Sequence, residues 1–187
     1  VIAQDDPMFL PNAERDAAQL LSDTLARDGV ELHLNATVVA VRSQGSDKIA
    51  DLVTDGRKFS VAADELLVGI GRTPNVSGLD LEVAGVAYDS KAGIVVDESL
   101  RTQNPRIYAA GDVCVDHKYT QVAEASARLA VRNALFPGRK PLSALTIPWC
   151  TYTDPEIAHV GLYVREARER SIPVRTFTVL MSEVDRA

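Results

Sequence analysis

Thr102-Gln103-Asn104-Pro105-Arg106-Ile107-Tyr108-Ala109-Ala110-Gly111-Asp112 carries the reading of the fold, because a short apolar strand here runs straight into a Gly-Asp pair. In a parallel α/β sheet, ligands sit beyond the carboxyl ends of the strands. A glycine at such an end has no Cβ, so a ligand can approach the backbone closely. The aspartate beside it offers two acceptor oxygens to ligand hydroxyls, and the sugar of a nucleotide cofactor suits it. A plain Gly-Asp turn is the simpler alternative, and the dipeptide taken alone favours it.

The segment that follows adds weight. Thr120-Gln121-Val122-Ala123-Glu124-Ala125-Ser126-Ala127 opens a helix predicted over 120–135 almost wholly with small side chains, and Pro137-Gly138 ends it. Small residues let a flat ring or another backbone lie on the first turn, where free N–H groups and the positive end of the dipole favour negative charge. A tightly packed helix is the competing reading. Upstream, Glu65-Leu66-Leu67-Val68-Gly69-Ile70 is a nearly unbroken apolar run, as expected of a strand buried on both faces. It exits through Gly69-Ile70-Gly71-Arg72-Thr73-Pro74-Asn75. This is not the dinucleotide fingerprint, since proline holds the third glycine position and no helix follows. A ligand-facing turn and a domain crossover both fit it.

Further out, Val1-Ile2-Ala3-Gln4 reads as the tail of a buried strand. A helix over 12–28 follows, with Asn12 as N-cap, Ala13, Ala17, Leu21 and Leu25 at helical spacing, and Gly29 at its end. Strands are expected over 31–34, 37–42, 48–54 and 58–62, with Asp55-Gly56 as a two-residue hairpin turn. Residues 73–104 are rich in loop signals, and 141–148 reads as a linker. The last part reads as strands over 149–153 and 157–162, a helix over 164–170 and a strand over 174–180. Strand, helix, strand, then a meander and another apolar strand is an α/β layout with an inserted antiparallel flap.

The 187 residues are 46% apolar and 25% charged, with a net charge of −6 and a mean hydropathy of −0.03. That chain length can bury a core without disulfides or metals. No basic patch points to nucleic acid, and the apolar runs are too short for a bilayer, so neither partner is expected. No secretory leader is recognised. The composition leads to the expectation of a soluble, cytoplasmic protein. Cys114 and Cys150 match no redox or metal spacing, and His33, His117 and His159 have no second histidine or cysteine at ligand spacing, so no metal site is expected. With no initiator methionine and no closing signal, the chain reads as an excerpt of a longer polypeptide.

The order of these segments carries a resemblance. Leu66-Leu67-Val68-Gly69-Ile70-Gly71-Arg72-Thr73-Pro74-Asn75 resembles the strand and Gly-Arg-x-Pro-Asn motif of the pyridine nucleotide-disulfide oxidoreductases. These FAD enzymes include glutathione reductase, lipoamide dehydrogenase and mercuric reductase. The stretch from Thr102 to Asp112 resembles the family's second FAD motif. Thr153-Asp154-Pro155-Glu156-Ile157-Ala158-His159-Val160-Gly161-Leu162 is similar to the start of its dimerisation domain. Residues 148–162 and the closing Val184-Asp185-Arg186-Ala187 look most like mercuric reductase and its lipoamide-dehydrogenase-like relatives.

The resemblance implies a partial nicotinamide-cofactor domain over 1–72, a returning segment of the FAD domain over 73–143, and the beginning of an α+β dimerisation domain over 144–187. It implies that Asp112 binds the FAD ribitol, with Gly111 allowing close approach, and that Val122 and Ala123 face the pyrimidine edge of the flavin. Gly71 and Arg72 would lie where the nicotinamide domain returns to the FAD domain. Gln4, followed by Asp5, would face the adenosine ribose, where an acidic residue favours NAD and arginine favours NADP. The implied activity is hydride transfer from NAD(P)H through FAD to a small-molecule disulfide or a thiolate-held metal, in a homodimer. The family's Cys-x-x-x-x-Cys pair, its glycine-rich cofactor turns and its histidine-glutamate pair are not in this chain, so no catalytic residue is expected within it and no disulfide turnover from it alone. An FAD-dependent NAD(P)H oxidase without a redox disulfide, and a non-catalytic binding or dimerising module, are the rival readings.

Overall fold

The computed structural model describes residues 1–185, so of the closing tetrapeptide Arg186 and Ala187 lie outside the described residues. The first unit is a parallel strand–helix–strand: β1 (Ile2–Ala3), α1 (Arg15–Arg27) and β2 (Leu32–His33), with Ile2 opposite Leu32 and Ala3 opposite His33. Helix α1 turns Ala18 and Leu21 fully inward. It ends as the sequence predicts: Gly29 (φ +84) donates to the Ala26 carbonyl and Val30 to that of Leu25. This pairing satisfies carbonyls left open at the helix end. Its start differs. Leu10 (φ +47) and the Ala13 N–H bond to its carbonyl make a tight turn first, so Glu14 takes the N-cap position and Asn12 does not.

A three-stranded antiparallel meander follows, β3 (Ala36–Gln44), β4 (Asp47–Thr54) and β5 (Arg57–Ala63), in that spatial order. Asp55 (φ +49) and Gly56 (φ +76) turn β4 into β5, the conformation a two-residue hairpin needs. Leu52 of β4 is buried, whereas Val38, Val39 and Val41 of the outer strand face solvent.

The expected strand over 65–70 does not form. Leu67 is 99% and Ile70 92% exposed, and the stretch runs extended without a ladder. A strand buried on both faces needs neighbours for its backbone groups. The parallel pair among the described residues, β1 with β2, is two residues long and does not reach it. The expected strand over 174–180 is likewise unpaired, with Phe177 86% exposed. The segment 106–110 makes one isolated bridge, Tyr108 with Arg101, in place of a strand.

The middle of the chain builds the core that positions the site. The hairpin β6 (Tyr88–Asp89) and β7 (Gly93–Ile94) leads into it, beside a small cluster of Val76, Leu81 and Val86. The main cluster gathers Leu100, Val115, Val122, Leu129 and Ala130. Three of these belong to α2 (Thr120–Leu135), which spans the predicted residues and buries Val122, Ser126, Leu129, Ala130 and Asn133 at helical spacing. Asn133 donates to the carbonyls of Ser99 and Lys140 and accepts from the Lys140 N–H, fastening the helix end to two loops.

Beyond it, β8 (Pro148–Thr151) pairs antiparallel with β9 (Ile157–Val160), and α3 (Val164–Glu169) follows. The Val164 N–H donates to Glu14 Oε1, and Arg165 donates to the carbonyls of Pro11 and Asn12. The last third of the chain thereby returns to the entry of α1. The architecture is α/β. No helix among the described residues is long and apolar enough to cross a membrane.

Candidate functional site

Gly111, Asp112 and Val113 form one short 3-10 turn at the exit of the 106–110 segment. Gly111 has φ +75, and a Cβ built on it would lie 3.1 Å from the Ala123 Cβ on the first turn of α2. A side chain at Gly111 would be strained at this φ and would press Ala123 back by a few tenths of an ångström. The Gly111 N–H donates to Ser126 Oγ at 2.9 Å, and that hydroxyl donates to the Ala123 carbonyl at 3.0 Å. Ser126 is completely buried. The turn is thus bonded as well as packed to the helix.

Replacing Ser126 with alanine is expected to cost about 1–2 kcal/mol, because it leaves the buried Gly111 N–H without an acceptor. Urea denaturation of the variant measures this; an unchanged midpoint would show that another acceptor takes over. Sequence reasoning counted Ser126 only among small residues. Its place four residues after Val122, on the buried face, was the available signal.

Asp112 projects from the turn beside Arg72. Arg72 Nη1 donates to Asp112 Oδ2 at 2.8 Å and to the Lys118 carbonyl at 3.1 Å. Oδ1 of Asp112 takes no hydrogen bond among the described residues. Gly71 (φ +109) sits one residue before Arg72, in open space. The Val122 side chain is inside the main cluster, and the N–H groups of Val122 and Ala123 both donate to the Tyr119 carbonyl. The N–H groups of Thr120 and Gln121 have no backbone acceptor among the described residues, so they are the open donors of this helix end.

Of the residues singled out in the sequence, Gly71, Arg72, Gly111, Asp112, Val122 and Ala123 therefore converge on one place. Gln4 lies elsewhere, at the end of β1, where its amide donates to the carbonyls of Asp6 and Met8 and folds that loop over the strand end.

The sequence reading did not foresee the aromatic stack beside the site. Tyr119, directly ahead of α2, stacks on Trp149 of β8 at 6.4 Å. Trp149 faces His159 across the hairpin at 5.9 Å, His159 stacks on Tyr163 at 3.8 Å, and the Arg165 guanidinium lies over the Tyr163 ring at 4.4 Å. Burial pushes the Tyr163 hydroxyl up, and among the described residues that hydroxyl has no hydrogen-bond partner.

Cys114 and Cys150 are both free and half-buried. Burial pushes the Cys114 thiol up to about 11. The thiolate is the reactive form, so iodoacetamide is expected to modify Cys114 far more slowly than free cysteine at pH 8, with the rate climbing as pH approaches 11. Mass spectrometry of the Cys114 peptide across that range checks it, and free-cysteine reactivity at pH 8 would contradict it. Among the described residues, no group of three or more histidine, cysteine, aspartate or glutamate side chains could hold a metal ion.

The chain matches known proteins along its length. The sequence profile described as pyridine nucleotide-disulphide oxidoreductase matches residues 1–129, and that of the family's dimerisation domain matches residues 147–187. A mercuric reductase of Bacillus cereus is 32% identical over all of this chain and 30% of its own length. A dihydrolipoyl dehydrogenase of Bacillus subtilis is 36% identical over 86% of this chain and 34% of its own. Among solved structures, the HOCl-induced flavoprotein disulfide reductase RclA from Escherichia coli superposes with a TM-score of 0.77 at 27% identity, covering 90% of this chain and 38% of that one. The chain spans about a third of the length of the curated relatives it matches. With both profiles in register and a glycine-aspartate turn locked to a helix start, the chain belongs to the pyridine nucleotide-disulphide oxidoreductase family.

Proposed function

We propose that these residues are part of a flavoprotein oxidoreductase, with 1–72 in its NAD(P)-binding domain, 73–143 in the returning segment of its FAD-binding domain and 144–187 at the beginning of its dimerisation domain. One observation carries the reading: at Gly111 a Cβ would fill the contact between the Asp112 turn and α2, which leaves the Asp112 carboxylate and the open start of the helix side by side. That cradle fits the ribityl and flavin portions of FAD. Bound there, FAD would supply two-electron transfer between NAD(P)H and a disulfide or a thiolate-held metal.

The protein's own contributions follow from its groups. Asp112 would accept a hydrogen bond from a ribityl hydroxyl, and Gly111 would admit the backbone to close approach. Val122 and Ala123 lie in the first turn of α2, and the positive end of its dipole, with the open N–H groups of Thr120 and Gln121, would face the ring edge where negative charge collects. Gly71 and Arg72 would mark the return from the nicotinamide segment, and Gln4 with Asp5 would meet the adenosine ribose of NAD or NADP. The substrate would be a small disulfide or a metal–thiolate complex, as the names of the relatives suggest, and the working unit a homodimer built through the domain that begins here. The two free thiols suit a reducing, cytoplasmic setting.

The test is reconstitution of the complete polypeptide with FAD, followed by NADH and NADPH oxidation against lipoamide, glutathione disulfide and thiol-complexed mercuric ion. Flavin-dependent turnover of one of these is expected, and none from residues 1–187 alone. A complete polypeptide that binds no flavin would overturn the proposal. Turnover with dioxygen alone would point to the oxidase reading.

A further inference from the structure

We infer that Arg72 is a positioning residue: it fixes the Asp112 carboxylate and the entry of α2 relative to each other, and so sets how tightly the flavin site holds its ligand. The inference rests on the reading of Asp112 proposed above, and it concerns a residue that does not itself need to touch the flavin. Three observations lead to it.

First, one guanidinium nitrogen, Nη1, donates both to Asp112 Oδ2 at 2.8 Å and to the Lys118 carbonyl at 3.1 Å. Lys118 lies two residues ahead of Thr120, the first residue of α2. The two partners belong to the two pieces that build the cradle, the 111–113 turn and the start of the helix.

Second, the hydrogen bond occupies only one carboxylate oxygen. A carboxylate has acceptor positions on both oxygens, and Oδ1 is left open among the described residues. With Oδ2 held, the carboxylate cannot rotate freely, and Oδ1 is presented to a hydroxyl in a set direction. An interaction made by a pre-oriented group loses less on binding than one made by a freely rotating group.

Third, the pair contributes little as a simple stabiliser. The Arg72 and Asp112 side chains are 65% and 41% exposed, a range in which ion pairs add little to folding. Its effect is in orientation. Because Arg72 follows Gly71 at the end of the 1–72 segment, it also ties that segment to the flavin turn from a position 40 residues away in sequence.

The experiment uses the complete polypeptide as apoprotein, titrated with FAD and followed by quenching of flavin fluorescence, with the visible spectrum of the bound flavin and the melting temperature of the apoprotein recorded beside it. Arg72→Met is expected to weaken FAD binding about tenfold, the loss typical of one charge-assisted hydrogen bond. Arg72→Lys should recover part of the loss, since a lysine can still reach a carboxylate as a point charge. Asp112→Asn should weaken binding by itself, and the double variant Arg72→Met with Asp112→Asn should be no weaker than Asp112→Asn, because the arginine acts through the carboxylate. The apoprotein melting temperature of Arg72→Met should stay near that of the unaltered protein.

An Arg72→Met protein with unaltered FAD affinity, while Asp112→Asn is weakened, overturns the positioning role and leaves the flavin reading standing. Losses that multiply in the double variant overturn it as well, as does an affinity loss matched by a lower apoprotein melting temperature. An Asp112→Asn protein with full affinity overturns the flavin reading and this inference together.

Discussion

Gly93→Ala is expected to destabilise the protein by on the order of 3 kcal/mol and to abolish FAD uptake by the complete polypeptide. Gly93 has φ +97, a conformation that side-chain-bearing residues rarely adopt. A Cβ there would overlap the Val113 carbonyl oxygen, come within 2.9 Å of its carbon and within 3.3 Å of the Pro74 Cβ. None of these is the far end of a flexible side chain. The obstruction falls on the backbone of Val113, the last residue of the turn that carries Asp112. Relief therefore has to come from moving either the β6–β7 hairpin or the site itself. Gly45→Ala is the control: its φ is +63, but a Cβ there meets nothing, so only the left-handed strain of about 1 kcal/mol applies. Equal melting temperatures for the two variants would show that the hairpin yields without cost.

Leu100→Ala is expected to cost about 3 kcal/mol, within the usual range for a buried leucine truncated to alanine. Leu100 is fully buried at the centre of the cluster that holds Val115, Val122, Leu129 and Ala130. Its backbone is fastened on both sides, through its N–H to the Asp97 carbonyl and through its carbonyl to the Ala109 N–H, so the chain cannot easily slump into the space left behind. The contrast is Leu67→Ala: the same chemical change at a residue 99% exposed should stay within about 0.5 kcal/mol. Chemical denaturation of both measures the difference. A loss below about 1 kcal/mol at Leu100 would mean that α2 shifts to refill the cavity.

The Asp97 loop adds a pH dependence to this core. Burial pushes the Asp97 carboxyl up. Hydrogen bonds from the Arg101 and Ser99 N–H groups, with the charges of Arg101 and Arg139, outweigh that and hold it below its ordinary value of 3.8. A carboxyl depressed in the folded state stabilises it above the ordinary value. That contribution fades as pH falls through the lowered one.

What the sequence disclosed and what it withheld follow a physical line. Helix α2 was legible because small residues open it and Pro137-Gly138 forbids continuation, and the structure adds that Val122, Ser126, Leu129 and Ala130 share its buried face. The meander was legible because Asp55-Gly56 fits essentially one kind of turn. Local chemistry settles both. Apolarity predicts strands over 65–70 and 174–180, but a strand also requires a neighbour, and nothing in Leu66-Leu67-Val68 says whether one is present. The resemblance assigns Gly111, Asp112 and Ala123 to one cofactor site, and the structure sets Gly111 against Ala123. The hydrogen bond from Arg72 to Asp112 was not legible, because a contact across 40 residues leaves no periodic trace. The position of Asn12 misled for a similar reason: the turn at Leu10 delays α1, and Glu14 at its entry reaches across to Val164.

That last contact bears on how the molecule folds. The Val164–Glu14 hydrogen bond joins residues 150 apart, and Arg165 adds two more bonds to the same place. Closing an open loop of that length costs about 4.4 kcal/mol in chain entropy before any constant term. Hydrogen bonds of this kind return about 1 kcal/mol each. The seam cannot nucleate the fold; it closes only after the meander and the α2 core have already shortened the path between its ends. Interactions of such high sequence separation form late and slow the approach to the native state. Loosening the seam with Arg165→Ala should therefore leave the folding rate nearly unchanged and raise the unfolding rate, the signature of a contact absent from the transition state.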